Sequence, residues 1–459
     1  MKLKLFFKRT VLMLAIAMPV MAWASNPAQL VSTINSFAHG GTGSLVAEYS
    51  GNTVTVNGYV INVTEYLLLN IDPYVRVVWK ATYSGSHSDA LMGIDGVGTF
   101  ELADGADITG YGPEVLGTIV TTNTPSILVS GGKVHSTTSN AIFSNSTVSV
   151  SGGMVSTGTG SAIFVGVGKN VTVSGGTVSA TGDLGHAIRI SIAAAGDRVW
   201  VNGGTVIATT GVAIGVYAPG YIVQVDKGTV NATTGVAIGV NNDNSTIAVY
   251  GGEVGVTIGA AIALNGANST VTVSGGKVYA TNQAAIAVAG AASTVTINGD
   301  GFVFAHGTAL TGEGNVINMV NGGSPTISNN SVVCAWNNMN TTYSEGTTTD
   351  LTFAPSDATV KWGKNDGQSG IIYTNGANTG FFEISGVTIE TTGIETVAHD
   401  ELRIYPNPTK GMVFIRAESD AVLQLSDIQG KRLLTTTGRQ IGVIQFVKRG
   451  NDTFKEVKQ

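Results

Sequence analysis

The chain has 459 residues, of which 43% are hydrophobic, 12% are charged and 62 are glycine. This apolar content argues against a disordered low-complexity chain. The formal net charge is −6, and no stripe of Lys and Arg follows the N-terminal segment. That balance argues against nucleic acid or an anionic membrane as the main partner. The length accommodates one long repeat domain and a smaller one.

Residues 1–24 have the features of a secretory signal peptide. They begin with four basic side chains, Lys2, Lys4, Lys8 and Arg9. An apolar run follows from Val11, and the segment ends in an A-x-A cleavage site at Ala22–Ala24. We expect cleavage before Ser25. The apolar run is too short to span a membrane, and no other is long enough, so we expect no transmembrane span in the mature chain.

Motifs that carry chemistry are scarce. The sequence has no Walker loop and no Cys/His pairs at zinc-ligand spacing, so we assign no catalytic residue, metal ligand or cofactor. Its one cysteine, Cys334, cannot form an intrachain disulfide. In the run VVCAW this cysteine is more typical of a small buried side chain than of a reactive thiol.

Residues 25–124 contain strand-like runs without a clear repeat, which we interpret as an N-terminal cap and irregular first turns. We expect the polar segment Asn35–Gly41 to cap the first turn, since an open end leaves strand edges unpaired. One stretch is rich in titratable side chains: His87, Asp89, Asp95, Glu101, Asp104 and Asp107. It predicts either a calcium or catalytic carboxylate cluster, or a solvated rim of outer loops. A shared groove with Lys or Arg within reach would favour the first interpretation.

Residues 125–323 contain a repeat marked by two independent series. The first glycine of a Gly-Gly pair, or its replacement, falls at Gly131, Gly152, Gly175, Gly203, Lys227, Gly251, Gly275, Gly299 and Gly322. An aliphatic residue preceded by Ala keeps the same spacing at Ile142, Ile163, Ile188, Ile214, Ile238, Ile262, Ile286 and Leu310. Two markers with one spacing indicate stacked structural repeats.

Each repeat contains three short runs in which apolar residues alternate, as in Thr270–Gly290. Alternation with a period of two predicts strands with one buried face. Three strands per repeat are too few for a propeller blade, and helical periodicity is absent. The pattern resembles a right-handed parallel β-helix of the pectate-lyase-like architecture, and the handedness follows from that resemblance. We expect the aliphatic residues to stack inside the turns.

The repeats contain few acidic side chains that could act in catalysis. Their acids are few and none shares a position on adjacent turns, so a carboxylate pair has no scaffold there. The run Gly185–Ile190 resembles a loose blend of the glycine-histidine and arginine-isoleucine motifs of polygalacturonases, without their paired aspartates. Because Ile188 belongs to the aliphatic series, we expect His186 and Arg189 to face outward.

Three aromatic residues are candidates for stacking against sugar rings: Trp200, Tyr250 and Tyr279. We place Trp200 in an outward position, with Thr172 and Gln224 one turn away on either side. The simpler interpretation is that these are isolated surface aromatics without a function. Glu253 and Lys277 fall at equivalent positions on adjacent turns, where they can form an exposed ion pair.

Residues 324–391 lose the repeat but keep strand-like runs separated by Gly-rich turns. They predict either final turns with a cap or a small β module. We favour the final turns.

Residues 392–459 carry two motifs, Tyr405–Gly411 and Asp427–Lys431. Pro406 and Pro408 fix φ and disfavour helix, and Gln429-Gly430 suits a tight turn between strands. The joint pattern resembles the type A C-terminal sorting domain of the type IX secretion system, with a shortened loop before its last hairpin. The matching motif residues are Tyr405, Pro406, Asn407, Pro408, Thr409, Gly411, Asp427, Gly430 and Lys431.

The resemblance implies a small Ig-like β-sandwich that directs the periplasmic chain through the type IX secretion machinery. Such cargo is released, or attached to surface polysaccharide, outside a Gram-negative bacterium. We therefore expect an all-β, secreted or surface-displayed protein with a non-catalytic structural or adhesive role. Its expected partners are the secretion machinery and surface, host or environmental glycans. The alternative is a carbohydrate-active lyase or hydrolase with its site within residues 87–107.

Overall fold

The structure is a computed structural model of the chain. It describes residues 25–390 with short interruptions, and four strands between residues 402 and 458. The interruptions fall at residues 113–114, 168, 184, 193, 195, 282, 308–315, 329–330, 337–341, 348–350, 355–358, 376–377 and 385–386. The expected signal peptide, residues 1–24, lies outside the described residues. The chain divides into two compact units, one up to Ile389 and one from Glu390 onward.

The first unit contains a parallel β-solenoid of about 10 turns over residues 53–306. Each turn contributes three strands, and most strands pair in parallel with the strand three positions later in the chain. The strands therefore form three long parallel sheets, which we call sheets 1, 2 and 3 in the order the chain visits them. The predicted all-β solenoid with three strands per turn is confirmed.

The three sheets share four long strands that turn corners between them: β2 (Thr53–Val63), β19 (Arg198–Val216), β20 (Ile222–Val240) and β22 (Glu253–Leu264). Sheet 1 otherwise contains β4 (Arg76–Trp79), β7 (Thr99–Leu102), β10 (Ser126–Val129), β13 (Val148–Val150), β16 (Val171–Val173), β21 (Thr246–Val249), β23 (Thr270–Val273), β26 (Thr294–Ile297) and β29 (Thr326–Ile327). Sheet 2 otherwise contains β5 (Thr82–Gly85), β8 (Asp107–Gly110), β11 (Lys133–Ser136), β14 (Met154–Thr157), β17 (Thr177–Ala180), β24 (Lys277–Thr281), β27 (Phe302–His306) and β30 (Val332–Trp336). Sheet 3 otherwise contains β3 (Leu67–Ile71), β6 (Met92–Gly96), β9 (Ile119–Thr121), β12 (Ile142–Ser144), β15 (Ser161–Val165), β18 (Gly185–Ile190), β25 (Ile286–Val288) and β28 (Ile317–Met319).

The core is a column of aliphatic side chains from successive turns. In sheet 3 the predicted isoleucine series forms one continuous file, and it extends further toward the N-terminus than the repeat showed. The file comprises Leu67, Met92, Ile119, Ile142, Ile163, Ile188, Ile214, Ile238, Ile262, Ile286 and Ile317. Burial of each such side chain stabilises the fold by about 1.5–3 kcal/mol.

The last member of the predicted isoleucine series needs a correction. The residue that pairs with Ile286 in the next turn is Ile317, whereas the series placed Leu310 there. Leu310 itself lies outside the described residues. The chain between these two turns is longer than in the regular repeats, so a count by fixed spacing stops too early.

The Gly-Gly pairs form the turn from sheet 1 to sheet 2, and their two members have different roles. The second glycine adopts the left-handed region, as at Gly276, where φ is +68°. The first lies against the preceding turn, since a Cβ on Gly275 would be 2.2 Å from the carbonyl oxygen of Tyr250. Gly322 is an exception, because it lies between β28 and β29, at a different corner.

A helix and an antiparallel strand cover the N-terminal end of the solenoid. Helix α1 (Pro27–Asn35) begins with a capping box between Asn26 and Gln29, and it buries Leu30 against the core. Strand β1 (Thr42–Ser50) pairs with β2, and the Asn35 side chain bonds both backbone groups of Ala47. The predicted polar segment thus forms only part of the cap, and the sequence analysis missed the helix.

After β30 the chain leaves the solenoid and folds back on it. Strand β32 (Leu351–Ala354) pairs antiparallel with β30 and so covers the edge of sheet 2. Strands β33 (Thr359–Asn365), β34 (Gln368–Asn375) and β35 (Asn378–Glu383) form an antiparallel sheet, and β31 (Thr342–Ser344) pairs with β36 (Thr388–Glu390). The segment therefore contains final solenoid strands followed by a small group of antiparallel strands, which we call the small module.

The small module packs on the outer face of sheet 2 through a second apolar core. This core contains Phe302, Phe304, Val332, Cys334, Trp336, Tyr343, Val360, Trp362, Ile371, Phe382, Ile384 and Ile389. Cys334 is free and fully buried, as predicted, and burial raises the pKa of its thiol. It is therefore a packing residue.

The second unit contains one antiparallel sheet of four strands: β37 (Leu402–Tyr405), β38 (Met412–Ser426), β39 (Arg432–Arg449) and β40 (Asp452–Lys458). Successive strands pair with one another. An all-β tail is thus confirmed, while its closure into an Ig-like sandwich stays a prediction.

Candidate functional site

A cleft of about 640 Å³ separates the outer face of sheet 2 from strand β35 of the small module. We call it the module cleft. It is lined by Glu253, Val256, Thr257, Lys277, Tyr279, Thr281, His306, Phe381, Phe382, Glu383 and Ile384. Its volume is in the range of known small-ligand sites.

Aromatic rings form one wall of the module cleft. The Tyr279 ring lies flat over Gly255, where a Cβ would come within 2.2 Å of the ring. The rings of Tyr279 and Phe382 pack edge to face, with centroids 4.9 Å apart. Burial, and to a lesser extent Glu253, raise the pKa of Tyr279, so the phenol stays protonated at neutral pH. The wall thus offers an apolar face and a hydroxyl group.

Charged groups stand at the mouth of the module cleft. Glu253 Oε1 lies 3.5 Å from Lys277 Nζ, which confirms the predicted pair on adjacent turns. Lys277 Nζ also lies 5.9 Å from the centroid of the Phe382 ring. A second opening of about 580 Å³ shares Glu253 and Lys277 and adds Asp300 and Tyr373. As a partly exposed pair these charges stabilise the fold little. They remain accessible for binding.

His306 supplies a neutral hydrogen-bonding group. Its Nε2 lies 3.0 Å from the Thr281 hydroxyl, and its ring stacks against Phe304 and Trp336. Its Nδ1 is buried without a hydrogen-bond partner. Burial lowers the pKa of His306 to about 4, so the imidazole is uncharged at neutral pH.

The three predicted sugar-stacking residues do not form one platform. Tyr279 lines the module cleft. Trp200 lies on the outer face of sheet 1 between Thr172 and Gln224, at the predicted register, and its indole donates a 2.7 Å hydrogen bond to Asp226. Tyr250, which is 55% exposed, lies at the turn between sheets 1 and 2.

The titratable residues within 87–107 lie on different sheets of the solenoid. Asp95 lies on β6 of sheet 3 and accepts a hydrogen bond from the backbone of Gly96 at 2.8 Å. Glu101, on sheet 1, pairs with Arg76 and accepts a bond from Ser130.

Asp107 lies on sheet 2, where it accepts a 2.7 Å bond from Thr109 and lies 3.8 Å from Lys133. Asp104 lies at a turn beside Gly131, and His87 Nδ1 accepts a bond from the backbone of Asp89. Across the described part of the chain, no three His, Cys, Asp or Glu side chains gather as metal ligands would. These side chains are thus distributed over the three sheets and the turns between them.

Sequence reasoning missed most of the module cleft, namely His306, Phe381, Phe382 and Glu383. One signal was present. The outward positions of sheet 2 change from Lys277 and Tyr279 to Phe302 and Phe304 one turn later. Apolar residues on an outward face indicate that something covers it. The sequence could not show that β35 does so.

The tail places one motif residue, Tyr405, at the end of β37. The remaining motif residues, Pro406, Asn407, Pro408, Thr409, Gly411, Asp427, Gly430 and Lys431, lie outside the described residues.

The protein is thus an all-β solenoid followed by a separate C-terminal β unit. Residues 403–445 match the family model of the secretion system C-terminal sorting domain. Comparisons with curated proteins and with solved structures found no match. The sorting domain points to export through the type IX secretion system, with secretion or attachment at the cell surface. None of the helices in the described part of the chain has the length and apolar character of a membrane span.

Proposed function

We propose that this exported solenoid is a non-catalytic structural or adhesive protein that contacts glycans through the module cleft. The main supporting observation is the composition of the cleft, where the partly buried Tyr279 presents aromatic surface beside charged and neutral polar groups. Sugar rings stack on aromatic faces through their C–H groups, and their hydroxyl groups pair with such polar side chains.

The dispersion of the acids within 87–107 over three sheets supports a binding role over an enzymatic one. Glycosidic bond cleavage by paired carboxylates needs both groups to flank one bond, roughly 5–10 Å apart. Glu101 and Asp107 lie on different sheets, and each has a basic partner of its own. We therefore expect the protein to bind polysaccharide without cleaving it.

The test is a glycan-array screen of the purified protein, followed by titration of the strongest ligand. Tyr279→Leu should weaken binding about tenfold, since loss of one stacking ring costs roughly 1–1.5 kcal/mol. Tyr111→Leu is the matched control, because Tyr111 is an exposed tyrosine that does not line the cleft. Equal binding by the Tyr279→Leu variant would contradict the cleft assignment. Release of new reducing ends or unsaturated products would contradict the non-catalytic role.

A further inference from the structure

A second cluster of aromatic and basic side chains lies on the outer face of sheet 3, away from the module cleft. We call it the arginine column, and it comprises Phe143, Phe164, His186, Arg189 and Tyr217. Phe143, Phe164 and Arg189 occupy the same outward position on three successive turns. Adjacent turns are about 4.8 Å apart, so the three side chains span about 10 Å, enough for two sugar rings.

The aromatic part of the column is ordered by stacking. The rings of Phe143 and Phe164 are nearly parallel, with centroids 5.0 Å apart and an interplanar angle of 11°. Both side chains are only partly buried. They therefore present apolar surface to solvent beside the arginine.

The guanidinium group of Arg189 is fixed between two rings. Its Cζ lies 5.5 Å from the centroid of Phe164 and 5.0 Å from that of Tyr217. The Tyr217 hydroxyl lies 2.8 Å from His186 Nε2, and the imidazole fills the space above Gly215 that a side chain would occupy. These contacts hold the rings that flank the arginine.

Arg189 has no acidic partner among the described residues. The ion pairs found there involve Arg76, Lys133 and Lys277. Arg189 itself is only partly buried, so a ligand can approach the side chain from solvent. A guanidinium carries five donors and suits the two oxygens of a carboxylate, and no acidic side chain of the described residues pairs with this one.

We propose that the arginine column binds an acidic glycan, with the anionic group on Arg189 and a neighbouring sugar ring against the exposed ring edges of Phe164 and Phe143. Charge complementarity supports an acidic ligand, because the positive charge is unmatched. The aromatic pair supports a sugar, because the stacked rings leave their edges partly exposed in the same row and offer apolar contact to the C–H groups of a sugar ring. This site lies on a different sheet from the module cleft, so its test is independent of the cleft assignment.

The experiment titrates the purified full chain with polyuronate oligosaccharides and with the same oligosaccharides after carboxyl reduction. A second pair, dextran sulfate and dextran, distinguishes sulfate from carboxylate as the source of the charge. We expect the charged member of at least one pair to bind more tightly than its neutral counterpart. Arg189→Gln should weaken that binding about tenfold or more, because a charge-assisted hydrogen bond is lost. Phe164→Leu should weaken binding of charged and neutral members alike.

Lys169→Gln is the matched control, since it removes one exposed positive charge without touching the column. It should leave binding of the acidic glycan unchanged. An equal loss in the Lys169→Gln and Arg189→Gln variants would show a general charge effect and overturn the proposal. Equal affinity of the protein for charged and neutral members of both pairs would also overturn it. Matching unfolding temperatures of all variants confirm that the losses reflect the site and not misfolding.

Discussion

At the residue scale, His306 makes the stability of the small module depend on pH. Burial lowers the pKa of His306 from 6.5 to about 4. The unfolded chain therefore takes up a proton near pH 6.5, and the folded chain does so only near pH 4. Stability from this group is complete above pH 6.5 and is lost as the pH falls toward 4. The full loss is about 3 kcal/mol.

We predict that His306→Gln flattens this part of the pH dependence, measured by urea unfolding between pH 7 and 4. The pKa of His135 is also lowered, by burial and by Lys133, but that side chain is less enclosed and bonds to Ser156. His135→Gln is therefore the matched control and should change the slope less. An unchanged slope in the His306→Gln variant would show that other groups cause the acid sensitivity.

Single positions also show which contacts can be predicted from the sequence and which cannot. The register of Trp200 between Thr172 and Gln224 followed from the spacing of the repeats, because parallel stacking converts equal spacing into neighbouring positions. The contact between Tyr279 and Phe382 did not follow. These residues are about a hundred positions apart, and no periodicity relates them.

At the element scale, the inward faces of all three strands of each turn form the core. Ile238 on β20 and Ile258 on β22 are chemically identical and one turn apart, but Ile238 is fully buried in the isoleucine file and Ile258 is 53% exposed. We predict that Ile238→Asp lowers the stability of the solenoid by about 3 kcal/mol or more, because it places an unpaired charge in the core.

Ile258→Asp is the control for the same substitution on the outer face, and it should shift the unfolding midpoint little. Chemical denaturation followed by circular dichroism compares the two variants directly. Similar midpoints for both would contradict the division between inner and outer faces that defines the solenoid.

The elements that sequence reasoning missed share a physical cause. Helix α1 was hidden because only Leu30 and Ile34 mark its buried face, which is too short a pattern for helical periodicity to be read. The small module was hidden because strand-like runs predict strands without their partners. By contrast, a repeat predicts each partner by repetition, so the sheets of the solenoid could be derived from spacing alone.

At the scale of the whole molecule, the candidate binding surfaces and the sorting-domain match lie in different units. The first unit, up to Ile389, holds the solenoid and both candidate binding surfaces, while the match to the sorting domain falls entirely within the second. The proposed binding surfaces and the segment that matches the sorting domain therefore lie in different parts of the chain. Substitutions at the binding surfaces should change affinity without changing export.

The division also predicts the result of a truncation. Deletion of Tyr405–Gln459 removes nearly all of the matched segment and should trap the protein in the periplasm, because the export signal is lost. Fractionation of the producing cells, with a periplasmic marker protein as reference, measures this directly. The truncated protein should keep the unfolding temperature of the solenoid, which shows that retention does not reflect misfolding. As the reciprocal control, residues 390–459 fused to a periplasmic reporter should carry it out of the cell. Undiminished surface display or secretion of the truncated chain would contradict the role of the tail.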